Sequence, residues 1–216
     1  MENLAALPNS PISKPNTQRG HERCRLLLDV ATELFIQHGY EHVSLDQIVE
    51  VAGGSKATIY KYFGNKQGLF FAIFQQRCNL FLQKVEQIYE QNIDDIQLTL
   101  ENLLYDLYQF FIDSKGGAFE RLLVQMSEND VKLAQEFYET GPRKAHQLLA
   151  ALLQKAHDAK QIHCPEPEIS AIYFYGFLHD VHWRNLVGLS NALSDAQIRH
   201  QINYVVERFV SGHAIN

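Results

Sequence analysis

Apolar side chains return at helical spacing along almost the whole of this chain. Leu27, Val30, Ala31, Leu34 and Phe35 recur at i, i+3, i+4, i+7 and i+8 as one stripe, and Gly39 follows as a helix stop. Ser44 is placed to cap a second helix that buries Leu45, Ile48, Val49 and Ala52, and Gly53-Gly54 ends it. Ser55 caps a third, with Ile59 and Phe63 on one face, before Gly64 and a new cap at Asn65. From Lys66 to about Glu90 a long helix presents Leu69, Phe70, Ile73, Phe74, Phe81, Val85 and Ile88. Further helices are expected at about 96–114, 118–128, 130–160, 168–189 and 195–212, the last capped by Ser194. Gly141-Pro142 predicts a kink or break, because proline lacks a backbone donor and clashes with the previous turn. No stretch of useful length alternates with period two, and no repeat recurs at a fixed period. The expected fold is all-α, with about nine helices.

Two short helices joined by a glycine turn make a helix-turn-helix, whose second helix enters the major groove of DNA while the first crosses above it. Helices this short are marginal alone and need clamping by their neighbours, here through Leu34, Phe35, Ile48, Ile59, Phe63 and Leu69. Charge adds to this picture. The 216 residues carry a net charge of −6, yet residues 1–66 hold seven basic and seven acidic side chains, so the excess acid lies in 67–216. Residues 51–66 hold Lys56, Lys61 and Lys66 and no acid. A locally basic tip on an acidic body suits contact with nucleic acid through one small face, although charge alone fits a solvated surface equally well.

The polar residues of 55–66 sort by direction. Ile59 and Phe63 point inward, while Lys56, Ala57, Thr58 and Lys61 point toward bases. Lysine can donate to guanine O6 and N7, and the Ala57 and Thr58 methyls can touch thymine. Tyr60 and Tyr62 can bond phosphates through their hydroxyls, and Ser44, Ser55 and Lys66 can reach the flanking backbone from helix starts.

The residues "ATELFIQHGYEHVSLDQI" (31–48) and "SKATIYKYFGNK" (55–66) closely resemble the DNA-binding signature of the TetR family of bacterial transcriptional regulators, over about fifty residues. Two positions depart from it. Gly54 stands where the family usually has valine, so a looser turn is expected, and Gly68 stands in the first turns of the fourth helix, where glycine costs roughly 1 kcal/mol against alanine. Residues 136–162, 174–189 and 198–212 resemble the C-terminal half of AefR-like members. Residues 1–18, with three prolines and little charge, are expected to form a flexible arm, and the resemblance implies a DNA-binding domain (19–66) and an effector-binding and dimerisation domain (67–216). It also implies a homodimer on a palindromic double-stranded operator, released by a small-molecule effector, and target genes for efflux or detoxification. Tyr105, Tyr108, Phe119, Met126, Tyr138 and Trp183 are candidate pocket residues, suited to an aromatic or cationic lipophile. The last two long helices would pair with their copies through Phe174, Phe177, Leu178, Val181, Leu186, Ile202, Val205, Val206 and Phe209.

Other chemistries find less support. The chain has no GxSxG, HExxH or GxGxxG, and "GGSKAT" (53–58) lacks the GK[ST] order of a phosphate-binding loop. Neither an enzyme nor a cofactor is therefore expected. A regulator controlled by a protein partner, without a small molecule, remains the main alternative. His179 and His182 share a helix face, but Asp180 points away and no third ligand is identifiable, so no metal is expected. Cys24, Cys78 and Cys164 are odd in number and far apart, which fits a reducing cytoplasm rather than a disulfide framework. No apolar run is long enough for a membrane span.

Overall fold

The computed structural model describes residues 13–91, 95–112, 115–128, 130–189 and 193–215. Among these the chain is all-helical: α1 (Gln18–His38), α2 (Leu45–Ala52), α3 (Lys56–Phe63), α4 (Lys66–Gln91), α5 (Ile96–Ile112), α6 (Gly116–Ser127), α7 (Val131–Thr140), α8 (Pro142–Asp158), α9 (Pro167–Tyr175), α10 (His179–Leu186) and α11 (Asp195–Gly212). The nine expected helices are all present, and two of them are divided. One divides at Gly141, where Pro142 occupies the first turn of α8 and its missing N–H costs nothing. The other divides at a 3₁₀ turn, Gly176–Leu178, which separates α9 from α10.

The helices fall into two compact units. One runs to Arg77 and includes Leu122–Ala134; the other comprises Cys78–Arg121 and Gln135–Asn216. This differs from a boundary at residue 66. The first half of α4 carries Leu69, Phe70, Ile73 and Phe74, all buried, and belongs with the three short helices. Residues 122–134 join the same unit, tied to α4 by a 3.1 Å hydrogen bond from Gln67 Nε2 to Asp130 Oδ2.

The core of the N-terminal unit is built on Leu27, Ala31 and Phe35 of α1, Ile48 of α2 and Ile59 of α3, with Leu69 and Phe70 of α4. Phe35, Tyr40 and Phe70 form a three-ring cluster with centroids 5.2–5.9 Å apart. The C-terminal unit packs α5 against α11 and α8 against α9 around Leu100, Leu103, Leu149, Leu153, Phe174, Val206 and Phe209. No helix among the described residues is long and apolar enough to cross a membrane.

Of the expected arm, residues 1–12 lie outside the described residues. Residues 13–17 precede α1, which Thr17 caps by accepting from the Gly20 amide at 3.1 Å, and Ser13 Oγ donates to the Lys61 carbonyl at 3.0 Å. Gln18 is already helical.

Candidate nucleic-acid interface

The two helices of the motif are each started by a serine. Ser44 Oγ accepts from the Gln47 amide at 3.2 Å, while Gln47 Oε1 accepts from the Ser44 amide at 2.7 Å, a reciprocal capping box. The Ser44 hydroxyl is therefore engaged in the fold. Ser55 stands at the N-cap of α3 without bonding a helix amide; its hydroxyl lies 3.4 Å from the Thr58 hydroxyl. On α3, Ile59 and Phe63 are buried, whereas Lys56, Ala57, Tyr60 and Lys61 are exposed, with Thr58 and Tyr62 half-buried. The expected sorting of this helix into inner and outer faces is what the structure has. Tyr60 is 52% exposed, which leaves its hydroxyl free to reach a ligand.

The turn between α2 and α3 is not loose. Gly53 and Gly54 take φ of +74° and +91°, a region that suits glycine. Arg23 of α1 fills the space beside them: its Nη1 donates to the Ala52 carbonyl at 2.7 Å, at the end of α2. A Cβ built on Gly54 would lie 2.0 Å from Arg23 Nη2. An arginine side chain thus occupies the volume where the family pattern puts valine.

The three lysines play three parts, which their spacing did not reveal. Lys56 is paired with Asp46 of α2, 2.9 Å from Nζ to Oδ1 and 3.1 Å to Oδ2. The basic stretch is acid-free along the chain but not in space. The hydrogen bond to Asp46 raises the Lys56 pKa. Lys61 is exposed, with its ammonium 5.0 Å from the Tyr62 ring centre. Lys66 departs from the expected phosphate contact. Its Nζ donates to the carbonyls of Tyr40 and Val43 at 2.8 and 2.9 Å and lies 4.2 Å above the Tyr40 ring. Burial lowers its pKa, opposed in part by the Glu41 charge. Lys66 therefore staples the chain between α1 and α2 onto the start of α4. Lys66→Ala is expected to cost about 1–2 kcal/mol, by leaving two carbonyls unpaired, while the salt dependence of DNA binding stays as it was. Thermal melts and a salt series on the same variant check both halves.

Residues 27–73 match the family model "Bacterial regulatory proteins, tetR family", and residues 98–213 match "AefR-like transcriptional repressor, C-terminal domain". The chain belongs to the TetR family. The HTH-type transcriptional repressor ComR of Escherichia coli K12 is 46% identical over 59 residues, covering 27% of this chain and 28% of that protein. An HTH-type transcriptional regulator of Staphylococcus aureus USA300 is 31% identical over 107 residues, covering 48% and 52%. The chain thus spans about a quarter to a half of the length of these curated relatives. Among solved structures, a TetR-family regulator from Mesorhizobium loti shares the fold with a TM-score of 0.84 at 23% identity, over 92% of this chain and all of that one. The flavonoid-responsive regulator FrrA aligns with a TM-score of 0.69 at 25% identity, over 89% of this chain and 97% of that one.

As a TetR-family C-terminal unit, 78–121 with 135–216 places the remaining site residues differently from expectation. Two of the pocket candidates, Tyr105 and Tyr138, line different grooves. Tyr105 is spent on a clamp between α5 and α11, its hydroxyl donating to Asp195 at 2.5 Å and its ring stacked 3.9 Å under the Arg199 guanidinium. Bonds from Tyr105 and Arg199 lower the Asp195 pKa. Tyr138 is exposed and lines an open groove of about 470 Å³ with Arg143, His146 and Ile172, and Trp183 is exposed on α10. Met126 is half-buried in the N-terminal unit. Tyr108 and Phe119 are buried, and the Tyr108 hydroxyl has no protein partner.

Sequence reasoning missed Glu120. Its Oε1 lies 2.5 Å from His182 Nδ1, and its Oε2 is buried and unpartnered. His182, weighed above as a metal ligand, has this carboxylate as its neighbour and packs edge-on against Phe111 at 4.2 Å. No metal-binding group of three occurs among the described residues.

The expected dimer residues need correction. Phe174, Leu178, Val181, Ile202, Val206 and Phe209 lie in the protomer's own core, and Phe177, Leu186 and Val205 are half-buried. The apolar residues left facing outward on α9 and α10 are Ile169, Ile172, Tyr173 and Trp183, followed by Val187. α9 is apolar nearly all round, so periodicity gave no means of choosing between its faces.

Proposed function

We propose that this chain is a homodimeric, sequence-specific repressor that leaves its operator when a small molecule occupies the C-terminal unit. The observation that carries the reading is the outward face of α3, where Lys56, Ala57, Tyr60 and Lys61 stand exposed on a helix fixed from behind by Ile59 and Phe63. Two such helices, one per subunit, would enter successive major grooves about 34 Å apart on a palindromic site. Lys61 and Lys56 would read bases, Ala57 and Thr58 thymine methyls, and Tyr60 and Tyr62 phosphates. The amides at the start of α2 would hold a further phosphate. The expected place of action is the cytoplasm, and efflux or detoxification genes are the expected targets, by analogy with the family.

Release would be a population shift: an effector that favours a head spacing unlike the groove repeat lowers operator affinity without chemistry. Two buried oxygens support an effector with hydrogen-bond donors. Tyr108 Oη and Glu120 Oε2 lack protein partners. Leaving such a group unpaired costs about 1–3 kcal/mol, which a donating ligand would recover. Phe111 and Phe119 nearby in sequence favour an aromatic body, and the flavonoid-responsive relative is in keeping with that class.

The test is selection of the purified chain against a random duplex library at fixed salt. Enrichment of a palindrome supports the reading, and Lys61→Ala is expected to weaken binding to it by about 1–3 kcal/mol, roughly five- to 150-fold. Salt-sensitive binding with no enriched sequence would overturn the sequence-specific part.

A further inference from the structure

The Asp46–Lys56 pair is hard to explain as support for the fold. Asp46 and Lys56 side chains are 72% and 46% exposed, and ion pairs so open to water contribute little to stability. Asp46 lies in the first turn of α2, where a carboxylate suits the helix dipole, but that benefit does not require a lysine opposite. The cost falls elsewhere. Lys56 is the first residue of α3, the end of a recognition helix that meets base edges, and there a carboxylate opposes the approach of phosphate.

Resting on the DNA-binding reading above, we propose that Asp46 is a specificity-determining residue, which holds Lys56 in place and withholds its charge from the phosphate backbone. The physical logic is a competition. A lysine free in solvent contributes its charge to any duplex by releasing a counterion, whatever the sequence. Lys56 instead has a carboxylate within 3.1 Å that binds its ammonium before DNA arrives. A passing phosphate meets the repulsion of that carboxylate at close range, which offsets much of its attraction to the ammonium, whereas a neutral base edge carries no charge to be repelled. Guanine presents two acceptors, O6 and N7, in fixed geometry, and Lys56 can meet them without leaving Asp46, because an ammonium has three donors. Asp46 thereby reduces non-specific affinity while sparing the operator, so it acts on the ratio between them rather than on either alone.

The experiment compares the full chain with Asp46→Asn, Lys56→Ala and the double variant, on a library-selected duplex and on a random-sequence duplex, over a salt series. Asparagine is nearly isosteric, and the capping box between Ser44 and Gln47 does not involve position 46, so melting temperatures serve as the folding control. Asp46→Asn is expected to tighten random-duplex binding about five- to tenfold and to steepen its log–log salt slope by about 0.9, the signature of one more neutralised phosphate. Binding to the selected duplex changes by less than twofold, so discrimination falls by roughly fivefold. In the Lys56→Ala background the same change leaves the salt slope alone. Equal tightening on both duplexes would show Asp46 to be a general repeller of DNA and would overturn the proposal, as would a slope change that persists without Lys56. A wild-type chain that binds neither duplex overturns the regulator reading and this inference together, whereas sequence-specific binding with an inert Asp46→Asn overturns only this one.

Discussion

Gly68→Ala is expected to disable the N-terminal unit, although alanine is the better helix former. On propensity alone the substitution should stabilise α4 by about 1 kcal/mol. The surroundings reverse the sign. A Cβ on Gly68 would lie 1.9 Å from the Phe63 carbonyl oxygen and 3.1 Å from its carbon. Those atoms are backbone at the end of α3, so no side chain can turn aside to relieve the clash. α3 would have to shift against α4, and it carries with it Ile59 and Phe63, both buried. The Gly68 amide also donates to the Asn65 side chain at 2.7 Å, the cap that starts α4, and the same shift strains that bond. Forcing extra volume into packed backbone costs about 3 kcal/mol, which outweighs the propensity gain. Urea unfolding should show a lower midpoint, and operator binding should fall by more than tenfold, because the recognition helix is what moves. A variant as stable as the parent, or more so, would show that α3 and α4 do not depend on this close approach.

That glycine marks where the sequence was legible and where it was not. Helix starts were readable because a cap is a local event: Ser44, Asn65 and Ser194 each bond an amide three residues ahead. The inner and outer faces of α3 were readable for the same reason, since 3.6-residue periodicity needs no partner. Contacts between elements were not. Gly68 looked like a small cost in a helix because the Phe63 carbonyl that requires it belongs to the preceding one. Gly54 looked like slack because the Arg23 side chain that fills the gap comes from α1, thirty-one positions away by number. Lys66 and Lys61 were both expected to reach DNA, yet one is half-buried and bonded to the Tyr40 and Val43 carbonyls and the other is open. Within the C-terminal unit the same limit hid the partners of Tyr105, Asp195 and Arg199, ninety and ninety-four residues on, and hid the contact of Glu120 with His182.

Ile172→Glu is expected to separate the protomers of the proposed homodimer. Ile169, Ile172 and Tyr173 on α9, with Trp183 and then Val187 along α10, repeat at helical spacing and face outward, at 52–75% exposure. A stripe of this kind in one protomer is the sort of surface that a second copy covers. In a two-fold interface each substitution acts twice, because both copies present the same patch to each other. Two unpaired carboxylates buried in an apolar seam cost several kcal/mol, so the dimer dissociation constant should rise by about a thousandfold or more. Ultracentrifugation at micromolar concentration should then find monomers with unchanged helix content. Affinity for a two-half-site operator should fall with dimer loss, since a lone head keeps only half the contacts. Val206→Asp is the matching control. Val206 is fully buried in the protomer's own core, so its replacement should lower the melting temperature itself, whatever the oligomeric state. The two variants therefore divide the apolar residues of the last helices into those that hold one chain together and those that join two. A stable dimer with Ile172→Glu in place would assign the outward stripe another occupant and move the subunit contact to a different face.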